Sequence, residues 1–252
     1  MRVKQIEKAL DFFELFAKGN EPRTLTELSA ALGMPKSSAF NLLDTLLARG
    51  YIYETRQRGG YYPTRRLYDV ARQIMDGDII VQAIHGELEQ LARDTGETVL
   101  LAARHGAEVL YVDVVEANSP IRYFARLGER KPLCSTASGK AILLSFTADE
   151  RARIVHAASG LDGLSNAPKD PEALLKDLEK SAERGWSEDH AEFIADVMGI
   201  GVPLVHGSRR FGLAIAGPLY RMRDSREALV DKLLNASRQM RGMIGDDVER
   251  RT

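Results

Sequence analysis

Residues 35–52, PKSSAFNLLDTLLARGYI, decide the fold of the N-terminal part of the chain. Pro35 stands at a helix start, where its missing amide hydrogen costs nothing, and Ala39, Leu43, Leu46 and Leu47 recur at helical spacing until Gly50 ends the run. Immediately upstream, Gly33-Met34 supplies a tight turn. Before that turn, Thr24 followed three residues later by Glu27 has the form of a capping box, opening a short helix through Leu25, Leu28 and Leu32. Further upstream, Ile6, Leu10, Phe13 and Ala17 are spaced by four, three and four, which predicts a first amphipathic helix over 3–18, stopped at Gly19-Asn20. Downstream, the tyrosine-rich stretches 51–54 and 61–64 flank TRQRGG, whose Gly59-Gly60 suits a turn with positive φ, so they predict a β-hairpin. Helix, turn, helix and hairpin together make a winged helix-turn-helix over residues 1–64.

Composition narrows the rest. The chain has 252 residues, 44% hydrophobic and 28% charged, the balance of an ordinary soluble protein of one or two domains. No apolar run approaches the roughly 20 residues that span a bilayer, so no membrane partner is expected. The opening MRVKQIEKAL mixes charge into an amphipathic pattern unlike a secretory signal, which predicts a cytoplasmic protein. The lone cysteine, Cys134, reads as a packed small hydrophobe. Formal net charge is −1, yet between Arg49 and Arg66 five arginines (49, 56, 58, 65, 66) face one acid, Glu54, giving a local basic patch suited to phosphates.

Past the hairpin, Leu67, Val70, Ala71, Ile74 and Met75 continue a helical period and predict a linker helix over 65–82. The remainder, 83–252, alternates helical stretches (about 83–95, 136–146, 149–157, 171–184 and 225–244) with strand-like ones (98–103, 109–115, 121–125, 200–205 and 211–216). That order argues an α+β domain.

Two stretches carry chemistry. An α-helix fits the major groove, and the N-terminal residues of the second helix of a helix-turn-helix reach base edges. Here those are Lys36, Ser37, Ser38, Phe40 and Asn41; Lys36 suits a phosphate and Asn41 suits adenine, while Ser37 could equally cap the helix. Arg56 and Arg58 on the hairpin add phosphate contacts. In the C-terminal domain, STASGKA (135–141) opens a helix whose free amides and dipole offer an anion site, with Ser135 or Thr136 as an alternative plain N-cap.

Four segments together resemble the isocitrate lyase regulator (IclR) family over nearly the whole chain. They are PKSSAFNLLDTLLARGYI, RLGERKPLCSTASGKAILLSF (126–146), RGWSEDHAEFIADVMGIGVPLV (184–205) and FGLAIAGPLYRM (211–222). The resemblance implies a DNA-binding transcriptional regulator, commonly a repressor, whose partner is a double-stranded operator. It also implies a linker helix that mediates dimerisation, a GAF-like α/β effector-binding domain, assembly as a homodimer or homotetramer, and no cofactor. Carried over by position, the effector-binding residues would be Leu133, Thr136, Ala137, Ser138, Gly139, Asp189, Val197, Gly199, Ala214 and Ala216. Three positions depart from the family pattern: Asn41 stands where an arginine is usual, and Ala214 and Ala216 where serines are frequent. The alanines favour a small organic acid with an aromatic or apolar body, such as a hydroxybenzoate, over glyoxylate or pyruvate.

The main rival is an enzyme using the C-terminal domain. STASGK is not a nucleotide-binding loop, since that motif needs glycine where Cys134 stands and Ser or Thr where Ala141 stands. Asp189, His190 and Glu192 form a compact cluster without an accompanying nucleophile or metal-ligand spacing, and read as surface residues satisfying one another. A winged helix that binds protein and a structural adaptor are further alternatives, against which the basic wing argues.

Overall fold

The structure is a computed structural model and describes residues 3–55, 59–77, 79–158 and 170–249. It divides into two compact units, Met1–Asp78 and Ile79–Thr252.

The first unit contains α1 (Lys4–Lys18), β1 (Arg23–Thr24), α2 (Leu25–Ala31), α3 (Lys36–Ala48), β2 (Ile52–Thr55), β3 (Gly60–Pro63) and α4 (Arg66–Gly77). The capping box forms as its spacing predicts: Thr24 Oγ1 accepts from Glu27 N at 3.3 Å, and Glu27 Oε2 accepts from Thr24 N at 2.8 Å. Ala39, Leu43 and Leu46 are buried along α3. The face that α1 buries differs from the expected one. Phe12 and Phe16 are inside, whereas Ile6 is 61% and Leu10 59% exposed. Aromatic bulk decides this orientation: Phe12 stacks on Phe13 and Phe16 at centroid distances of 5.3 and 5.0 Å, and Phe16 meets Tyr62 of the hairpin edge-on at 5.5 Å. The hairpin gains a third strand that the sequence pattern did not signal, giving the order β1-β3-β2. Gly59 has φ +60°, the conformation that favours glycine at this turn. Along α4, Val70 is half-buried and Ile74 is 67% exposed, so the apolar stripe of the linker helix meets solvent within this unit.

The second unit contains α5 (Ile79–Thr95), β4 (Thr98–His105), β5 (Glu108–Val115), β6 (Arg130–Pro132), α6 (Ala137–Leu144), α7 (Ala148–Ala158), α8 (Pro171–Arg184), β7 (Ser187–His190), β8 (Val197–His206), β9 (Arg209–Pro218), α9 (Leu219–Asp224) and α10 (Arg226–Glu249). Its antiparallel sheet runs in the order β6-β5-β4-β9-β8-β7. Helix α5 begins at Ile79 instead of near residue 83, because Ile80 and Val81 belong to the core of this unit. Residues 121–125 are not a strand: Tyr123 and Ala125 point inward as an alternating pattern predicts, but the backbone joins no ladder, and Tyr123 O instead accepts from Thr98 Oγ1 at 2.7 Å. Strand pairing at this edge goes to β6, and β7 closes the other edge.

Period-two alternation splits the sheet into two faces. Val99 and Leu101 of β4, Met198, Ile200, Val202 and Leu204 of β8, and Phe211, Leu213 and Ile215 of β9 pack with α5 and α10. The residues between them are small on the opposite face: Gly199 and Gly201, then Gly212, Ala214 and Ala216. Helix α6 lies directly on that small-residue face. A Cβ on Gly201 would sit 2.4 Å from Ala137 O, and one on Gly212 would sit 2.0 Å from Ser138 O. The first turn of α6 is thereby held against β8 and β9, which positions the site described next.

Candidate functional site

On the first unit, Lys36, Ser37, Ser38, Phe40 and Asn41 are all exposed on α3, opposite its buried face, and Phe40 is 53% exposed. The residue before the helix is Pro35, and no side chain caps α3, so the Ser37 and Ser38 hydroxyls are not used as caps. Ser38 and Asn41 border a groove against α1, which brings Lys4, Gln5 and Lys8 to the same surface. Arg49, Arg65 and Arg66 are exposed after α3 and at the start of α4. The wing residues Arg56 and Arg58 lie outside the described residues.

On the second unit, the N-terminus of α6 meets the small-residue face of the sheet around a cavity of ≈ 20 Å³. Eight of the ten residues expected at an effector site line it: Thr136, Ala137, Ser138, Asp189, Val197, Gly199, Ala214 and Ala216. Leu133 and Gly139 do not. They pack against each other behind the cavity, where a Cβ on Gly139 would lie 2.0 Å from Leu133 O, so both serve to seat the helix. Five lining residues were not anticipated: Leu100, Tyr111, Tyr123, Phe193 and Ile194. The alternation of β4 carried the signal for Leu100, which shares a face with Ala102. Tyr111 follows the alternation of β5, sharing a face with Val109, whereas Tyr123, Phe193 and Ile194 reach the cavity from loops, which no spacing announces.

Hydrogen bonding divides these groups into occupied and open ones. Thr136 Oγ1 accepts from Gly139 N at 3.2 Å and donates to Pro132 O at 2.9 Å, so it is a true N-cap. Lys140 N donates to Thr136 O, which leaves the amides of Ala137 and Ser138 without intrahelical partners. Ser138 Oγ is buried and has no hydrogen-bond partner among the described residues. Tyr111 and Tyr123 bring their hydroxyls within 3.4 Å of each other. Burial pushes both phenols up from their ordinary value, Tyr111 the more strongly, so they stay neutral donors.

Asp189, expected at the effector site and read with His190 and Glu192 as a surface cluster when weighing an enzyme, points inward from β7 and is only 5% exposed. Burial pushes its carboxyl up to about 7; the nearby Glu192 adds to this, while the Glu192 N–H donated to Asp189 Oδ1 at 2.7 Å and the Lys140 ammonium oppose it. Near neutral pH it can therefore donate or accept a hydrogen bond. His190, next along the strand, is exposed. Glu192 pairs with Lys140, a buried cation that carries no signal in the sequence beyond its place in STASGKA. The cavity thus offers helix amides, hydroxyl donors and one acid that can take either role, within walls otherwise apolar.

The family model for the C-terminal domain of bacterial IclR transcriptional regulators matches residues 73–241, and the IclR helix-turn-helix model matches residues 5–56. The chain belongs to the IclR family. As an IclR-family protein it is a bacterial transcriptional regulator with an N-terminal helix-turn-helix and a C-terminal α/β domain. It is 27% identical over 248 residues to the HTH-type transcriptional regulator KdgR of Escherichia coli K12, covering 95% of this chain and 93% of that protein. It is 26% identical over 226 residues to the transcriptional repressor AllR of the same organism, covering 89% and 83%. The crystal structure of Thermotoga maritima IclR matches with a TM-score of 0.73 at 26% identity, covering 95% of this chain and all of that one. An IclR homologue from Microbacterium hydrocarbonoxydans, solved in complex with 4-hydroxybenzoate, shares the fold with a TM-score of 0.70 at 19% identity, covering 96% and 99%. Among the described residues no helix is long and apolar enough to cross a membrane.

Proposed function

We propose that this regulator is a cytoplasmic, one-component repressor of a catabolic operon that binds its operator as a homodimer or homotetramer and is controlled by a small organic acid in the cavity at α6. Residues 1–64 act as the DNA-binding domain, 65–82 as a linker that brings two copies together, and 83–252 as the effector domain. On DNA, Lys36, Ser37, Ser38, Phe40 and Asn41 enter the major groove while Arg56 and Arg58 of the wing meet phosphates.

The observation that carries the effector assignment is the buried, unpartnered Ser138 hydroxyl beside two open helix amides, facing a cavity from which larger side chains are excluded. A ligand carboxylate satisfies those three donors and the helix dipole without a cationic side chain. Leu100, Tyr111, Tyr123, Val197 and Ile194 favour an aromatic or apolar ligand body, and a hydroxyl on it exchanges hydrogen bonds with Asp189 or the tyrosine pair. The homologue that binds 4-hydroxybenzoate makes hydroxybenzoates the first compounds to try. In titration calorimetry, 4-hydroxybenzoate or benzoate should bind more tightly than glyoxylate or pyruvate, and the bound acid should change a salt-sensitive operator gel shift. Tighter binding of glyoxylate or pyruvate than of every aromatic acid tested overturns the aromatic preference. No effect of any acid on the operator complex overturns the effector assignment.

A further inference from the structure

The free space of ≈ 20 Å³ holds one or two waters and no organic acid, so one wall of the cavity must move before a ligand enters. Three of the walls are tied to the core. The sheet face is continuous β-ladder, and α6 is buried along its length. Segment 121–125 is fixed by Thr98 Oγ1 donating to Tyr123 O and by Arg221, which donates to Ile121 O at 3.1 Å while paired with the buried Glu97.

The fourth wall is residues 191–196, between β7 and β8. It contributes Phe193 and Ile194 to the cavity, and Ile194 is 39% exposed on its outer side. Part of its backbone bonding closes the segment on itself, through Ala191 N to Val197 O and Val197 N to Ile194 O, each within 3.1 Å. At its far end Leu219 N donates to Asp196 O at 2.8 Å, and Lys131 Nζ lies 5.3 Å from the Phe193 ring, while the bonds that hold its near end to the site converge on Asp189 and Glu192. Asp189 accepts the Glu192 amide, and Glu192 Oε1 accepts from Lys140 Nζ at 2.5 Å. Lys140 is 1% exposed and also donates to Asp177 Oδ2 at 3.0 Å and to Glu188 O at 3.1 Å, so its ammonium stays fixed in α6 whatever the segment does. Ala191 has φ +58°, a left-handed conformation that is costly for a residue with a Cβ and is held by these neighbours.

From this arrangement we propose that residues 191–196 are the door of the cavity and that the buried Lys140–Glu192 pair is its latch. The proposal rests on the cavity being the ligand site. Glu192 and Lys140 are positioning residues here: they touch the door and not the ligand. Asp189 sits on both sides of the device, because it lines the cavity and also accepts from the Glu192 amide of the door. A ligand that takes hydrogen bonds from Asp189 therefore changes how firmly the door is held.

Hydrogen–deuterium exchange on the full-length protein tests the latch without any ligand. In the unmodified protein, amides of 191–197 should exchange by local opening, faster than those of 198–206 in β8 and of β9; exchange only in concert with these overturns the proposal. Glu192→Gln should speed exchange in 191–197 about tenfold, the scale of one lost charge-assisted contact, while Lys140 keeps Asp177 and Glu188 O. Asp177→Asn weakens the same lysine from the other side, so it should lower the melting temperature with less than about twofold change at 191–197. Equal acceleration by both variants, or none by Glu192→Gln, shows a pair that merely stabilises the domain and overturns the latch. With 4-hydroxybenzoate as probe, Glu192→Gln should raise the dissociation rate about tenfold in stopped flow. Failure of that probe to bind the unmodified protein counts against the proposed ligand class, and the exchange measurements still decide the door.

Discussion

Asp189 gives the most direct quantitative test of the cavity's electrostatics. Its carboxyl is held at about 7 in the fold against 3.8 in an exposed chain. Because the folded value is the higher one, the unfolded chain binds fewer protons than the fold between those limits. The stability this group contributes is fully present below about pH 4 and is lost as pH rises through about 7. Between pH 5 and pH 8.5 the unfolded carboxylate is ionised throughout, whereas the folded one ionises only near pH 7. At about 1.36 kcal/mol per pH unit over the two units from 5 to 7, the protein should lose about 3 kcal/mol through this one residue. Since Asp189 is almost fully buried, solvent screening reduces that figure little. Asp189→Asn keeps an oxygen to accept the Glu192 amide but cannot ionise. Urea denaturation of both proteins at pH 5, 6, 7 and 8.5, at one protein concentration, isolates the effect, since all other titrating groups are common to the two. The variant should match or trail the parent at pH 5 and gain on it by about 3 kcal/mol by pH 8.5. A stability difference that stays constant within about 1 kcal/mol across that range refutes the assignment of a protonated, buried Asp189.

Replacing Gly201 with alanine places a Cβ 2.4 Å from Ala137 O, so α6 must lift from the sheet; a loss of about 3 kcal/mol or more is expected, and an unchanged melting temperature contradicts the close approach. Arg56→Ala with Arg58→Ala should weaken binding to every DNA sequence and flatten the logarithmic salt dependence by up to about two, and an unchanged slope removes the wing from the interface. Asn41→Ala should relax preference at one base pair by about 1–3 kcal/mol, whereas uniform weakening across operator variants makes Asn41 a positioning contact. The fragment 1–64 lacks α4 and should sediment as a monomer with weak half-site binding; a tight dimer of that fragment takes the linker helix out of self-association.

The N-terminal unit was legible because its signals are local. A capping box, a glycine stop and a helical repeat act over three to seven residues, so Thr24, Glu27, Ala39, Leu43, Leu46 and Gly50 fix α2 and α3 without reference to the rest of the chain. The face of α1 was not legible, since Ile6 and Leu10 fit a helical stripe as well as Phe12 and Phe16 do. The phenylalanines are selected by the core they enter, where they pack with Leu28, Leu43 and Ile52 and Phe16 meets Tyr62 of the hairpin.

In the C-terminal unit the sequence by itself determined β4, β5, β8 and β9, because alternation is a property of consecutive residues, and it marked STASGKA as a helix start; the short edge strands β6 and β7 and the non-strand path of 121–125 were left to the fold. Tertiary structure decided what that start is for. The small residues 199, 201, 212, 214 and 216 are scattered over two strands, and only their pairing assembles one surface on which α6 can lie. Tyr123 and the segment 191–196 come from separate loop stretches and meet Tyr111 of β5 at the cavity through contacts that leave no periodic trace. Lys140 shows the division most clearly: in sequence it is one lysine in a helix, and its burial between Asp177 and Glu192 follows from the packing of α6 beneath α8 and the door. Hydrogen-bond spacing along a chain is written in neighbours. Desolvation, which sets the acidity of Asp189 and the worth of the Lys140 pair, depends on everything that surrounds a group in space.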